Sequence, residues 1–164
     1  MSVAAASSGR ADLQIVRPFI QATLETIKVQ CSLDITHSDP YLRGEGPDLP
    51  KDFAAVFSVF SRGANVAVCM GFQRAVYQGI MDKMLSNFDN AEHSLDDGLK
   101  ELVNVIFSKV RGFANSDGKV LNRGVPAIIY GENIKVSYLT TASPIIVPFE
   151  TAVGPFQLEL ILET

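Results

Sequence analysis

A chain of 164 residues is the size of one domain and long enough to bury a core without disulfide or metal staples. Hydrophobic residues at 47% against charged residues at 20% exclude a disordered chain and indicate one soluble globular fold. The 14 Lys and Arg are scattered and outnumbered by 18 Asp and Glu, giving −4 with both His neutral, which argues against a nucleic-acid surface or a patch for anionic membrane.

Residues 1–10 are small and polar, without the basic-then-apolar order of a signal peptide, and are expected to be a loose tail before a single domain at 11–164. Asp12 is a possible cap for a helix reaching about Cys31, with Ile15, Phe19, Ile20, Leu24 and Ile27 at three- and four-residue steps. Pro18 either sits in the first turn of a helix that begins near Arg17 or kinks a longer one, and the late start is the favoured reading. Cys31 and Cys69 lie far apart among apolar neighbours, as buried reduced thiols do. Residues 36–50 carry three Pro and two Gly, the composition of an extended loop with room for a short edge strand.

Phe53 to Phe60 and Ala64 to Phe72, joined at Ser61-Arg62-Gly63, read as a largely buried β-hairpin. A helix over Gln73–Leu85 follows, then a polar link, Ser86–Ser94. The clearest helix runs from about Ser94 to Ala114, where Leu95, Leu99, Leu102, Val103, Ile106, Val110 and Phe113 form one stripe, and Asn115-Ser116-Asp117-Gly118 ends it. Strands are then predicted at Lys119–Leu121, Ala127–Tyr130, Ile134–Thr140, Pro144–Glu150 and Phe156–Leu162, with turns at Gly131-Glu132-Asn133 and Gly154-Pro155. Helix, hairpin, two helices and a run of strands imply an α+β two-layer sandwich, an antiparallel sheet with the long helices on one face. No stretch reaches the roughly 18 apolar residues of a membrane span, and a cytoplasmic protein is expected.

Phosphate-binding glycine loops, the HExxH zinc helix and the GxSxG elbow have no counterpart in the sequence. His37 and His93 lack Cys partners at ligand spacing and read as surface residues. One pair remains. Glu101 and Asn104, three apart in the last predicted helix, share a face about 5 to 6 Å apart at Cβ and lie off the Leu99, Leu102, Ile106 stripe, so a carboxylate and a carboxamide point together to solvent. Spacing alone leaves an ordinary solvated helix face equally open.

The strings PFIQATLETIKVQ, VAVCMGF, ELVNVIFSKVRGFA and VPAIIYGENIKVSY resemble the CheX branch of the CheC, CheX and FliY phosphatases of bacterial chemotaxis, over about 150 residues. The most specific part is the helix with Glu101 and Asn104 followed by Pro126 to Gly131. Ser108 stands where family members usually have Gly, and is small enough to keep a close helix contact. The first helix offers Glu25-Thr26-Ile27-Lys28 in place of the second Glu-x-x-Asn of CheC-type members, so one site per chain follows. The resemblance implies hydrolysis of the aspartyl phosphate of a CheY-like response regulator. Asn104 would hold the attacking water and Glu101 would pair with the partner's phosphate-contacting Lys; the Mg²⁺ would be carried by the partner, and no cofactor belongs to this chain. It also implies a homodimer joined at sheet edges. A non-catalytic adaptor of the same fold, docking a response regulator or a motility complex, is the alternative.

Overall fold

The computed structural model describes residues 3–61, 64–86, 95–115, 121–138, 140 and 142–163, and of residues 3–15 the backbone alone. Its elements in chain order are α1 (Val3–Gln30), β1 (Ile35–His37), β2 (Tyr41–Leu42), β3 (Phe53–Ser61), β4 (Ala64–Phe72), α2 (Arg74–Ser86), α3 (Leu95–Asn115), β5 (Asn122–Arg123), β6 (Ala127–Tyr130), β7 (Ile145–Thr151) and β8 (Gly154–Glu163). The strands form one antiparallel sheet in the order β1-β7-β8-β4-β3-β5, with β2 also on β7 and β6 also on β3. The expected α+β sandwich is therefore the fold.

Period-two alternation divides each long strand between two faces. Phe53, Ala55, Phe57 and Val59 of β3, Val66, Val68, Met70 and Phe72 of β4 and Phe156, Leu158 and Leu160 of β8 join the helix residues in one core. Into it α1 contributes Phe19 and Ile27, α2 contributes Tyr77, Ile80 and Met81, and α3 contributes Leu99, Leu102, Val103, Ile106 and Val110. Each Val, Leu, Ile, Phe or Met side chain among them stabilises the fold by about 1.5 to 3 kcal/mol through burial. Rings add geometry: Phe53 stacks on Tyr77 at 4.1 Å, and Phe149 on Phe156 at 5.0 Å.

The late helix start does not hold. Helix α1 begins at Val3, and Pro18 lies inside it. A proline there costs about 3 kcal/mol in lost bonding and steric clash. The fully buried Val16, Phe19 and Ala22, with Ile20, hold the helix through it. Helix α1 ends where Cys31 N–H bonds to Ile27 O at 3.1 Å and Ser32 turns to φ 53°.

The chain from β6 to β7 also departs from expectation. Ile134 to Tyr138 form no strand, because the segment crosses the sheet face away from the helices: Ile134 N–H donates to Lys51 O and the Tyr138 hydroxyl to Glu159. That face is covered as well, with Ala54, Ala67, Cys69, Ile146 and Ile161 buried. At its centre Glu159, 1% exposed, takes Arg43 Nη2 at 2.7 Å and Lys51 Nζ at 3.2 Å. Lys51 also fills the space beside Gly71, where a Cβ would lie 2.9 Å from its stem.

The first strand expected after α3 lies at Asn122–Arg123, one step beyond the predicted Lys119–Leu121, of which 119 and 120 fall outside the described residues. The loop expected at 36–50 holds edge strands β1 and β2, both on β7. The turns predicted at 61–63 and 115–118, and the 86–94 link, lie largely outside the described residues. The turn at 131–133 is present and is tied down by Asp52, whose carboxylate accepts Asn133 N–H at 2.9 Å and, at the start of α2, Arg74 N–H at 2.8 Å.

Both cysteines are free and buried. Burial pushes the Cys31 thiol up to about 11 and, with Glu159 close by adding to it, the Cys69 thiol up to about 12.

Candidate functional site

Helix α3 places its apolar stripe as its sequence dictates. Leu99, Leu102, Val103, Ile106 and Val110 are buried, and Phe113 packs on the core's margin. The rotation that buries them turns Glu101 and Asn104 to solvent, one helical turn apart. Ser108 and Arg111 continue the exposed row at the next turns. Ser108 is thus not in a close helix contact; it lines a groove.

That groove, about 440 Å³, is bordered by Asn104, Phe107, Ser108 and Arg111 of α3 and by Asn122 and Arg123 of β5. The strand residues are the part that sequence reasoning missed. Arg123 Nη1 donates directly to Asn104 Oδ1, and its guanidinium lies 5.2 Å from the centroid of the buried Phe107 ring. A guanidinium has donors only, so the amide atom facing it must be the oxygen, and the Asn104 Nδ2 hydrogens turn away from it.

Arg123 reaches this place through an irregularity in the sheet. It pairs with Val59 of β3, and four residues later Ala127 pairs with Val56. Between those pairs β3 has residues 57 and 58, whereas the facing segment has Gly124, Val125 and Pro126, one residue more. This is a β-bulge. Gly124 N–H still bonds Ser58 O at 2.9 Å, Pro126 has no N–H to contribute, and Val125 stands 92% exposed. The surplus residue changes the alternation, so that Arg123 and Ile128, five apart, both lie on the helix side of the sheet; Ile128 packs against the core.

The other singled-out residues lie elsewhere. His37 is exposed, its Nδ1 3.2 Å from Ser38 O, and His93 falls outside the described residues. Glu25, at the position where a second motif would begin, lies 3.5 Å from Lys109 of α3, a half-exposed pair that contributes well under about 1 kcal/mol. No described helix is long and apolar enough to cross a membrane.

Among solved structures the chain is similar to the chemotaxis protein CheX from Desulfovibrio desulfuricans, 22% identical over 92% of this chain and 99% of that one, with a TM-score of 0.78. It is similar to CheX from Vibrio vulnificus at 18% identity, with 92% and 99% covered and a TM-score of 0.79. A third relative is CheX in the CheX–CheY–BeF3–Mg²⁺ complex from Borrelia burgdorferi, 17% identical over 91% and 97% of the chains, TM-score 0.70. These likenesses establish the fold. No functionally curated protein matches the chain. Residues 53–150, which include the β3–β4 hairpin, α3 and the bulged strand, match the family described as chemotaxis phosphatase CheX, and the chain belongs to that family.

Proposed function

We propose that this protein is a phosphatase that accelerates hydrolysis of the aspartyl phosphate on a CheY-like response regulator. The observation that carries the reading is the exposed pair Glu101 and Asn104, one turn apart on α3 of a CheX-family fold. The complex of a relative with CheY, BeF3 and Mg²⁺ supports the partner class.

The chemistry asks little of the enzyme. A water oxygen forms a bond to phosphorus as the bond from phosphorus to the aspartyl oxygen breaks; the aspartate leaves as carboxylate and the water's proton passes to phosphate or solvent. Positioning and electrostatics dominate such a transfer. The Asn104 amide donates and accepts without adding negative charge beside the phosphoryl oxygens, so it holds the water in line. Glu101 pairs with the partner's phosphate-contacting Lys and seats the helix. The Mg²⁺ belongs to the response regulator, and the reaction is cytoplasmic.

The test is the lifetime of a phosphorylated CheY-like receiver with and without this protein. Asn104→Ala should remove acceleration, by about 10² to 10³ on the scale of a single lost oxyanion donor, with little change in partner affinity. Glu101→Ala should weaken docking as well, by an amount that shrinks at high salt. If the wild type leaves the lifetime unchanged yet binds the receiver, the chain is an adaptor; if Asn104→Ala retains full acceleration, the catalytic assignment is wrong.

We also propose a homodimer joined at a sheet edge. Among the described residues strand β6 pairs with β3 alone, and Ile129 and Tyr130 on it are exposed together with Val125.

A further inference from the structure

We infer that Arg123 is a positioning residue for Asn104, an inference that rests on the phosphatase reading above for its catalytic consequence. A free asparagine side chain on an exposed helix face turns about its last torsion, and the two ends of its amide exchange places at little cost. Here one end is assigned. Arg123 offers hydrogens only, so Asn104 Oδ1 must face it, and Nδ2 is directed away. The backbone of Arg123 is anchored by the β5 pairing to Val59 and Phe60 and by the Gly124 N–H bond to Ser58 O, and its guanidinium lies over the face of Phe107, a buried residue on the same helix as Asn104. Helix and strand are thereby linked at the one exposed amide that the proposed reaction uses.

No carboxylate among the described residues forms a salt bridge with Arg123. A purely structural role would be to cover Phe107. The positioning role differs because it acts on the Asn104 side chain, and this difference is measurable. With Oδ1 already holding one hydrogen bond, its second lone pair and the two Nδ2 hydrogens remain for water and the phosphoryl oxygens, in a fixed sense. Losing the constraint should act on turnover, since small misplacements of a positioning group cost up to about 10² in rate.

The experiment compares wild type, Arg123→Ala, Arg123→Lys, Asn104→Ala and the Asn104→Ala/Arg123→Ala double variant, in kcat and KM toward a phosphorylated CheY-like receiver. Side-chain amide spectra of the uniformly ¹⁵N-labelled chain are recorded in parallel. Arg123→Ala should lower kcat about tenfold or more with KM within about twofold, and Arg123→Lys should recover part of it through its single donor. In the Asn104→Ala background Arg123→Ala should add nothing, because it acts through the missing amide. The Asn104 Nδ2 resonance pair, identified by its loss in Asn104→Ala, should shift in Arg123→Ala while backbone resonances away from β5 stay in place. Multiplying effects in the double variant, or an Asn104 resonance pair that Arg123→Ala leaves unmoved, would overturn the inference. If the wild type proves inactive, the phosphatase reading falls on its own; a shifted resonance pair then still establishes that Arg123 orients Asn104, and an unshifted one refutes it.

Discussion

Replacing Glu159 by Gln tests whether the helix-free face of the sheet is held by charge. Glu159 is 1% exposed; Oε1 takes Lys51 Nζ at 3.2 Å, while Oε2 takes Arg43 Nη2 at 2.7 Å and the Tyr138 hydroxyl at 3.1 Å. Gln keeps the shape and one acceptor but removes the charge. Breaking a buried pair by one partner costs about 3 to 5 kcal/mol, mainly through the cation left behind. Of the two cations, Arg43 is about a third exposed and has Asp48 at 3.5 Å, whereas the Lys51 side chain is 10% exposed. The orphan is therefore Lys51 alone, and the lower end, about 3 kcal/mol, applies. For a chain of this size that corresponds to a fall in Tm of about 6 to 12 °C. The assay is thermal and urea unfolding by circular dichroism at fixed protein concentration. Lys51→Met in the Glu159→Gln background should recover most of the loss, since it removes the unpaired charge. A Glu159→Gln Tm within about 2 °C of wild type would refute the reasoning.

Asp52→Asn should destabilise by about 1 kcal/mol near neutrality, on the scale of a lost helix cap. Because the N–H bonds from Asn133 and Arg74 hold the Asp52 carboxyl below its ordinary value, its contribution is complete above about pH 4 and is lost as pH falls through the lowered folded value; the gap between wild type and variant in urea titrations should close on acidification. Cys31 and Cys69, buried and with raised thiol values, should react with a thiol reagent only at the rate of unfolding, and a rapid native-state phase at either would contradict their placement. Sedimentation at high micromolar concentration should show a dimer that a charge at Ile129 weakens; a monomer throughout would rule out the sheet-edge contact.

The legible parts of the sequence are those in which one period dominates. Leu99, Leu102, Val103, Ile106 and Val110 define α3 and so place Glu101 and Asn104 on its outer face, and Val- and Phe-rich runs define the β3–β4 hairpin. Long-range polar chemistry leaves no such mark: Lys51 and Glu159 meet across 108 positions, and nothing adjacent to either announces it. The same holds for Arg123, which faces Asn104 just before the bulge at 124–126 alters the strand alternation. Ile134–Tyr138 has strand composition, but its backbone and the Tyr138 hydroxyl serve to close the second sheet face. Pro18 shows tertiary packing overriding local propensity in α1.

The bulge at Gly124-Val125-Pro126 gives the site an unusual kind of vulnerability. Surface segments ordinarily tolerate the gain or loss of a residue, and Val125, 92% exposed, looks expendable by that measure. Deleting it would leave every side chain of the site chemically intact while shifting the parity between β5 and β6, so that either Ile128 leaves the core or Arg123 swings to the opposite side of the sheet. Substitution at this position should leave the geometry of the site intact, whereas deletion should disrupt it: what the site constrains there is a count of peptide units, independent of the side chain they carry.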